Sequence, residues 1–190
     1  DATGWQREQT GGSVYLRLTT NPLDQPTRTI NPDLASDIIA GGYWWREPGP
    51  NCELIIAYQG VVAEQALAAA GQLAGQFSGQ SRDIGVLAVT SADRLNAGWT
   101  AAQQARTDGH KNAASHIEKL LETVPRHALM LTVIDGHPAT LSWLGGVKGM
   151  ATISHGVEHF GQTGTIGDLY RHFRLDTASL VEAVLNNSAR

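Results

Sequence analysis

The segment His155-Gly156-Val157-Glu158-His159 has the residue types and the spacing of a metal-binding motif. It fits H-x-x-E-H, in which two histidines bind zinc and the glutamate lies beside a metal-bound water. That chemistry requires both histidines on one face of a helix, one turn apart. The residues before it predict a strand, and in an extended segment the two histidines lie about 13 Å apart. A polar exit from a strand is therefore the favoured interpretation. A zinc hydrolase built on His155, Glu158 and His159 is an alternative that requires a helix there.

A second polar segment, Asp135-Gly136-His137-Pro138, directly follows the apolar run at 129–134. In open parallel sheets, ligands bind beyond the carboxyl ends of the strands, so Asp135 and His137 could line a cleft or an interface. The same residues also suit a polar turn whose aspartate caps the next helix. Acid–base catalysis by His137 is a third alternative, and all three remain open from the sequence.

The common catalytic and phosphate-binding motifs are absent from the sequence. It has no G-x-x-x-x-G-K-[ST] loop, no G-x-G-x-x-G after the first strand of a βαβ unit and no G-x-S-x-G elbow. The seven histidines include no other pair with persuasive ligand spacing. A self-contained hydrolase needs a nucleophile, a base and an orienting group, and this set is not visible here.

Length and composition indicate an ordinary soluble globular protein of 190 residues, of which 42% are hydrophobic. The formal net charge of −4 gives no support to nucleic-acid or anionic-membrane binding. No apolar run is long enough for a membrane span. The single cysteine, Cys52, is expected to be a small buried hydrophobe, which fits a reducing, cytoplasmic location. Because numbering begins at Asp1, we expect the chain to be a piece of something longer.

Segments typical of strands and helices alternate along most of the chain. Short apolar runs predict buried strands at 54–58, 84–90, 129–134 and 150–154. Apolar residues at three- and four-residue spacing predict helices at 61–77, 93–105, 112–124, 140–147 and 169–173. A last helix, capped by Asp176 or Thr177, would turn Leu180, Val181, Val184 and Leu185 inward. This alternation predicts an α/β fold, a three-layer α/β/α sandwich around a mostly parallel sheet.

A domain boundary is predicted near the N-terminus. Residues 13–20 alternate like a half-buried strand. Residues 21–33 then carry three prolines among polar residues, which is typical of an extended linker. We therefore divide the chain into residues 1–35, the tail of a preceding domain with its linker, and residues 36–190, the α/β domain.

Three stretches of the sequence, in this order, carry a resemblance to a known enzyme family. They are residues 86–95, VLAVTSADRL, residues 133–145, VIDGHPATLSWLG, and residues 159–164, HFGQTG, with 169–173, LYRHF. The first is similar to a V-x-S-x-x-x-L segment in the last domain of the homodimeric pyruvate dehydrogenase E1 component, and the third to the F-G-x-S/T…L-x-x-x-F signature near the end of transketolase-like enzymes. The chain therefore resembles thiamine-diphosphate enzymes of the transketolase and pyruvate dehydrogenase E1 family. The resemblance covers residues 11–190, and the E1 type is closer than transketolase proper.

The resemblance implies a C-terminal domain with a mixed sheet of about five strands, one of them antiparallel. Residues 36–46 are the candidate for that extra strand or for a lead-in helix, and 1–35 becomes the tail of the pyrimidine-binding domain. It also implies a thiamine-diphosphate- and magnesium-dependent homodimer whose other domains hold the cofactor through a G-D-G…N motif and an activating glutamate. This chain lacks that motif, so we carry over no catalytic, cofactor-binding or metal residue and expect no activity from the chain alone.

Dimer packing, and shaping of the cofactor site from outside, is the role that the resemblance implies for this chain. The expected partners are a second copy and the missing N-terminal and pyrimidine-binding domains of the same polypeptide. The candidate cleft or interface residues are Asp135, His137, His159, Phe160 and Gly161. The alternative function is a small-ligand-binding or regulatory module with a cleft among loops around Ser91, Asp135 and Phe160. The substrate of the complete enzyme, 2-oxoacid or ketose phosphate, stays open.

Overall fold

One five-stranded sheet forms the centre of the molecule, in the order β1-β3-β2-β4-β5. The computed structural model describes residues 23–24, 27–75, 83–159 and 161–187. The strands are β1 Gly42–Arg46, β2 Leu54–Gln59, β3 Ile84–Val89, β4 Leu129–Ile134 and β5 Thr152–His155. Strands β2 to β5 pair in parallel, and β1 pairs antiparallel with β3 at one edge. The strand predicted at 13–20, residues 21–22 and 25–26 of the predicted linker, Phe77 and Phe160 lie outside the described residues.

Seven α-helices surround the sheet in the part of the chain that the structure describes. They are α1 Pro32–Ala40, α2 Ala63–Gly75, α3 Ala92–Thr107, α4 His116–Leu120, α5 Ala139–Ser142, α6 Ile166–His172 and α7 Thr177–Asn187. A 3₁₀ turn, Gly60–Val62, leads into α2, and another, Trp143–Val147, extends α5. Among the described residues, no helix combines the length and the apolar character needed to cross a membrane.

The two faces of the sheet bury separate cores, because successive side chains of a strand point to opposite faces. On β2, Ile56 packs with the apolar faces of α2 and α7. Its neighbour Ile55 packs on the other side with residues of α3, α4 and α5. Helices therefore cover both faces, and the predicted three-layer α/β/α sandwich with a mixed sheet of five strands is confirmed.

Residues 36–46, predicted as an extra strand or a lead-in helix, contain the second half of helix α1 and all of strand β1. Helix α1 ends at Ala40 and is followed by Gly41, whose φ of 114° is the left-handed conformation that glycine adopts readily, and β1 begins directly after Gly41. The side chain of Arg28 lies 5.4 Å from the ring centres of both Tyr43 and Trp45 on β1. This described part of the predicted linker therefore contacts the edge of the sheet.

The predicted helix at 112–124 is wrong in extent, since only His116–Leu120 is helical. Ser115 starts the helix through a capping box: its backbone N–H donates to the Glu118 carboxylate at 2.7 Å, and its hydroxyl accepts from the Glu118 amide at 3.4 Å. Beyond the helix, the ammonium of Lys148 donates to the carbonyls of Leu121 and Val124, at 2.8 and 2.5 Å. These carbonyls are satisfied by a side chain distant in sequence, so the chain needs no continued helix there.

The last helix confirms most, but not all, of its predicted inward face. Leu180, Val181 and Val184 are buried, whereas Leu185 is 38% exposed, so the inward prediction for Leu185 is wrong. Asp176 caps this helix, because its carboxylate accepts from the Ser179 amide at 3.1 Å. Cys52 is fully buried, as predicted, and burial raises the pKa of its thiol.

Candidate functional site

The site lies where the strand order changes direction. From β2 the chain first adds β3 on one side and later places β4 and β5 on the other. The loops after β2 and β4 therefore diverge, and they leave a crevice at the carboxyl ends of these two neighbouring strands. A cavity of 490 Å³ occupies this crevice, between Val61 after β2, Asp135 after β4 and Val157 after β5.

Most of this cavity is lined by apolar side chains, and we call it the apolar cavity. Its far wall is the segment from Gly161 to Leu175, which contributes Ile166, Leu169, Phe173 and Leu175. Polar groups come from Asp135, His159, Gln162, Thr163 and Tyr170. Burial raises the pKa of Tyr170, and the negative charges of Asp135 and Glu64 raise it further. A volume of this size suits a small molecule.

A second cavity of 260 Å³ adjoins the first, and we call it the polar cavity. It shares His159 and Phe173 with the apolar cavity. Its other polar walls come from the end of β5 and the turn after α6, and they are Ser154, His155, Glu158, His172 and Arg174. Three imidazoles and a guanidinium therefore surround the same space.

The floor between the cavities is formed by two loops in very close contact. The Val157 amide donates to the Gly136 carbonyl at 2.7 Å. A Cβ added at Gly156 would collide with that carbonyl and lie 2.8 Å from the Pro138 nitrogen. Gly156 therefore allows the backbones after β4 and β5 to approach closely.

The structure divides the predicted site residues. Asp135, His159 and Gly161 line the apolar cavity together. His137 is exposed and is not part of the lining of either cavity; its ring accepts from the Ala139 amide at 3.2 Å, at the start of α5. Phe160 lies outside the described residues. Ser91 accepts from the Arg94 amide at the start of α3 and lines neither cavity.

The helix that a zinc hydrolase requires at 155–159 is not formed. His155 ends strand β5, and residues 156–159 continue without helical structure. Across the described ranges, no three His, Cys, Asp or Glu side chains come close enough to hold a metal ion. Helix α6 instead begins at Ile166, and Thr165 caps it, because the Thr165 hydroxyl accepts from the Asp168 amide at 3.2 Å.

Arg174, which the sequence analysis did not single out, has a left-handed backbone conformation, with φ of 56°. Its amide donates to the Arg171 carbonyl at 3.2 Å, and the next amide, of Leu175, donates to the Tyr170 carbonyl at 2.8 Å. These two bonds form a Schellman motif, in which this position is usually glycine. The sequence offers no glycine as a signal, so the motif was not predicted.

Replacing Arg174 by glycine is expected to stabilise the fold. The left-handed conformation costs a residue with a Cβ about 1–2 kcal/mol, part of which glycine's larger loss of entropy offsets. We therefore expect Arg174→Gly to raise the free energy of unfolding by about 0.5–1 kcal/mol in urea denaturation. Arg171→Gly, at a helical position, is the matched control and should be destabilising. A loss of stability in Arg174→Gly would contradict this assignment.

His155 is expected to make folding sensitive to acid. Burial lowers the pKa of His155, the charge of Arg174 lowers it further, and a hydrogen bond to the Arg174 backbone partly offsets both. As the pH falls, the unfolded chain takes up this proton first, so stability is full above the unfolded pKa and declines until the folded pKa. NMR titration should place the folded pKa below that of an ordinary histidine, and His155→Gln should reduce the decline. A folded pKa at or above the ordinary value would show this to be wrong.

The architecture around this site is that of a transketolase-type α/β domain, as predicted. Among solved structures that share the fold, the transketolase from Campylobacter jejuni has a TM-score of 0.56 at 18% identity, over 80% of this chain and 19% of that chain. The transketolase from Leishmania mexicana has a TM-score of 0.57 at 16% identity, over 82% of this chain and 19% of that chain. At these identities the likeness is one of fold, and the chain spans about a fifth of either enzyme.

A third solved structure, a split-gene transketolase described as an inactive beta4 tetramer, has a TM-score of 0.55 at 18% identity. The match covers 79% of this chain and 43% of that one. No protein-family model matches the sequence, and none of the curated proteins matches it.

Proposed function

We propose that this chain is the C-terminal domain of a thiamine-diphosphate-dependent enzyme of the transketolase or 2-oxoacid dehydrogenase E1 type, and that it is inactive alone. The observation that carries the proposal is the extent of the structural match, in which about four-fifths of this chain corresponds to 19% of two transketolases. The ordered sequence stretches at 86–95, 133–145 and 159–173 resemble the end of such enzymes and support the same assignment.

In this proposal the domain contributes packing rather than chemistry. It contacts a second copy in a homodimer and shapes the active site from outside. The N-terminal and pyrimidine-binding domains hold thiamine diphosphate and magnesium, and they set whether the substrate is a 2-oxoacid or a ketose phosphate. In this proposal we assign this chain no cofactor ligand and derive no catalytic step from it.

The match to a split-gene transketolase bears on how the missing domains are supplied. We expect them on the same polypeptide, and a separately encoded chain is the other arrangement that this comparison supports. A cytoplasmic location belongs to the same proposal. It is supported by the buried thiol of Cys52, which has no second cysteine in the sequence to pair with.

The test compares the 190-residue chain with the longest polypeptide or complex encoded together with it. We expect calorimetry to detect binding of thiamine diphosphate with Mg²⁺ by the longer form and not by the 190-residue chain. Turnover of a 2-oxoacid or a ketose phosphate should follow the same division. A longer form whose G-D-G…N motif is altered serves as the control, since it retains this domain. Tight binding of thiamine diphosphate by the 190-residue chain alone would overturn the proposal.

A second candidate function, a small-ligand-binding or regulatory module, is favoured by the apolar cavity at the point where the strand order changes. Ligands of open α/β sheets bind in that position. A thermal-shift screen of nucleotides and metabolites tests it, and a uniformly flat response would count against a ligand of either kind.

A further inference from the structure

The apolar and polar cavities share part of their lining, but the side chains of one are mainly apolar and those of the other mainly polar or charged. His159 and Phe173 line both of them. On one side of this shared wall lie aliphatic and aromatic side chains, including Leu169 and Leu175. On the other side lie Arg174, His155 and His172. A molecule that occupies both spaces therefore needs an apolar part and a polar part.

Arg174 supplies an unengaged positive charge in the polar cavity. Within the described residues, its guanidinium makes no ion pair and donates no hydrogen bond. Its backbone conformation is the left-handed one that favours glycine. Strained residues of this kind cluster at ligand sites, where the side chain has a use that offsets the strain. A free guanidinium in a cavity is suited to a carboxylate or a phosphate, which it binds through paired N–H groups.

Carboxylates near the two cavities orient such a ligand. Asp135 lies on the wall of the apolar cavity, and it repels an anionic group placed there. Glu158 also lines the polar cavity and, like Arg174, is exposed, so solvent screens both charges there. His159 and His172 offer ring N–H donors, whereas the His155 ring is already hydrogen-bonded to the Arg174 backbone. The head group is therefore attracted towards Arg174, and the apolar body faces Leu169 and Leu175.

We propose that the two cavities form one binding site for a small molecule with an apolar body and a single anionic head group, either carboxylate or phosphate. The site lies at the carboxyl ends of β2, β4 and β5. This inference gives the second candidate function a ligand class. It does not depend on the thiamine-enzyme assignment, so the two can fail separately.

The experiment titrates the 190-residue chain with matched probes and follows backbone and side-chain NMR shifts. The probes are 4-phenylbutyrate, 4-phenylbutyl phosphate, the cation 4-phenylbutylamine, and inorganic phosphate alone. We expect at least one of the two amphipathic anions to bind with shifts at His155, Leu169 and Arg174. The cation and inorganic phosphate should each bind about tenfold or more weakly, because each lacks one half of the matching chemistry.

Three variants separate binding from folding. Arg174→Gly, which we expect to fold more stably than the parent chain, should weaken binding of the amphipathic anions by about tenfold or more. Ile166→Asn changes a side chain that lines the apolar cavity and is 50% exposed, and it should weaken binding by about fivefold. Arg171→Gln removes the same charge from an exposed residue outside both cavities and should leave the dissociation constant unchanged.

Tighter binding of the carboxylate or of the phosphate probe supports the proposal and names the head group. Binding of the amine as tight as that of the acids would overturn it, because the site would then be only apolar. Unchanged affinity in Arg174→Gly, or saturation by inorganic phosphate at the same concentration, would also overturn it. If neither amphipathic anion binds detectably at about 10 mM, the binding free energy is weaker than about −3 kcal/mol, and the proposal is wrong.

Discussion

Gly156→Ala is expected to lower the free energy of unfolding by about 3 kcal/mol, the upper end of the usual cost of overpacking. The new Cβ would collide with the Gly136 carbonyl and lie 2.8 Å from the Pro138 nitrogen. Both neighbours are backbone atoms, which cannot rotate away as the end of a side chain can. Relief therefore requires the loops after β4 and β5 to separate, which breaks the 2.7 Å bond from the Val157 amide to the Gly136 carbonyl.

The matched control is Gly136→Ala, in the facing loop. A Cβ at Gly136 would lie 3.7 Å from the Ile134 side chain, an ordinary contact, so the change in stability should stay within about 0.5 kcal/mol. Urea denaturation measures both variants, and NMR shifts at residues 135–138 and 155–159 report loop separation. Equal unfolding midpoints for the two variants would contradict the close approach of these loops. Because the loops form the floor of both cavities, the probes above should also bind Gly156→Ala more weakly.

Leu180→Ala is expected to cost about 3 kcal/mol in the free energy of unfolding, within the range for a buried leucine truncated to alanine. Leu180 is fully buried on α7, in the core that this helix shares with β2 and α2. Truncation leaves a cavity between the helix and the sheet, which the close-packed neighbours can fill only in part. Thermal and urea denaturation would both measure the loss.

Leu185→Ala on the same helix is the control, because it makes the same chemical change with the same effect on helix propensity. Leu185 is 38% exposed, so its truncation should cost about 1 kcal/mol or less. Similar losses for the two variants would mean that α7 presents a different face to the sheet. The pair therefore tests whether Leu185, which the sequence pattern wrongly predicted to face inward, contributes less to stability than Leu180.

The strands were the most predictable part of the fold. The run at 129–134 coincides with β4, and 84–90 exceeds β3 by one residue. Inner strands of a largely parallel sheet are covered by helices on both faces and by strands on both edges, so they are continuous apolar runs. β5, an edge strand, is only partly buried, and its predicted position at 150–154 is displaced from Thr152–His155.

Helix limits were predicted less well, because they depend on which partners satisfy the terminal carbonyls. The apolar spacing at 112–124 is that of a helix, yet Ser115 starts α4 late and Lys148 binds the carbonyls beyond its end. Lys148 comes from the segment after α5 and is distant in sequence. The inward prediction for Leu185 is wrong for a related reason. Periodicity defines an apolar stripe on the helix, but the neighbouring elements decide how much of that stripe is buried.

The amino-acid sequence by itself determined the alternation of strands and helices, the burial of Cys52 and the position of Asp135 at the end of a strand, since each follows from local hydrophobic pattern and turn chemistry. Only the tertiary structure decided that Asp135 and Val61 share a crevice and that Arg174 and His155 line the same cavity. The order of strands in the sheet brings these loops together, and that order is set by long-range packing. No local spacing of residues along the chain encodes it.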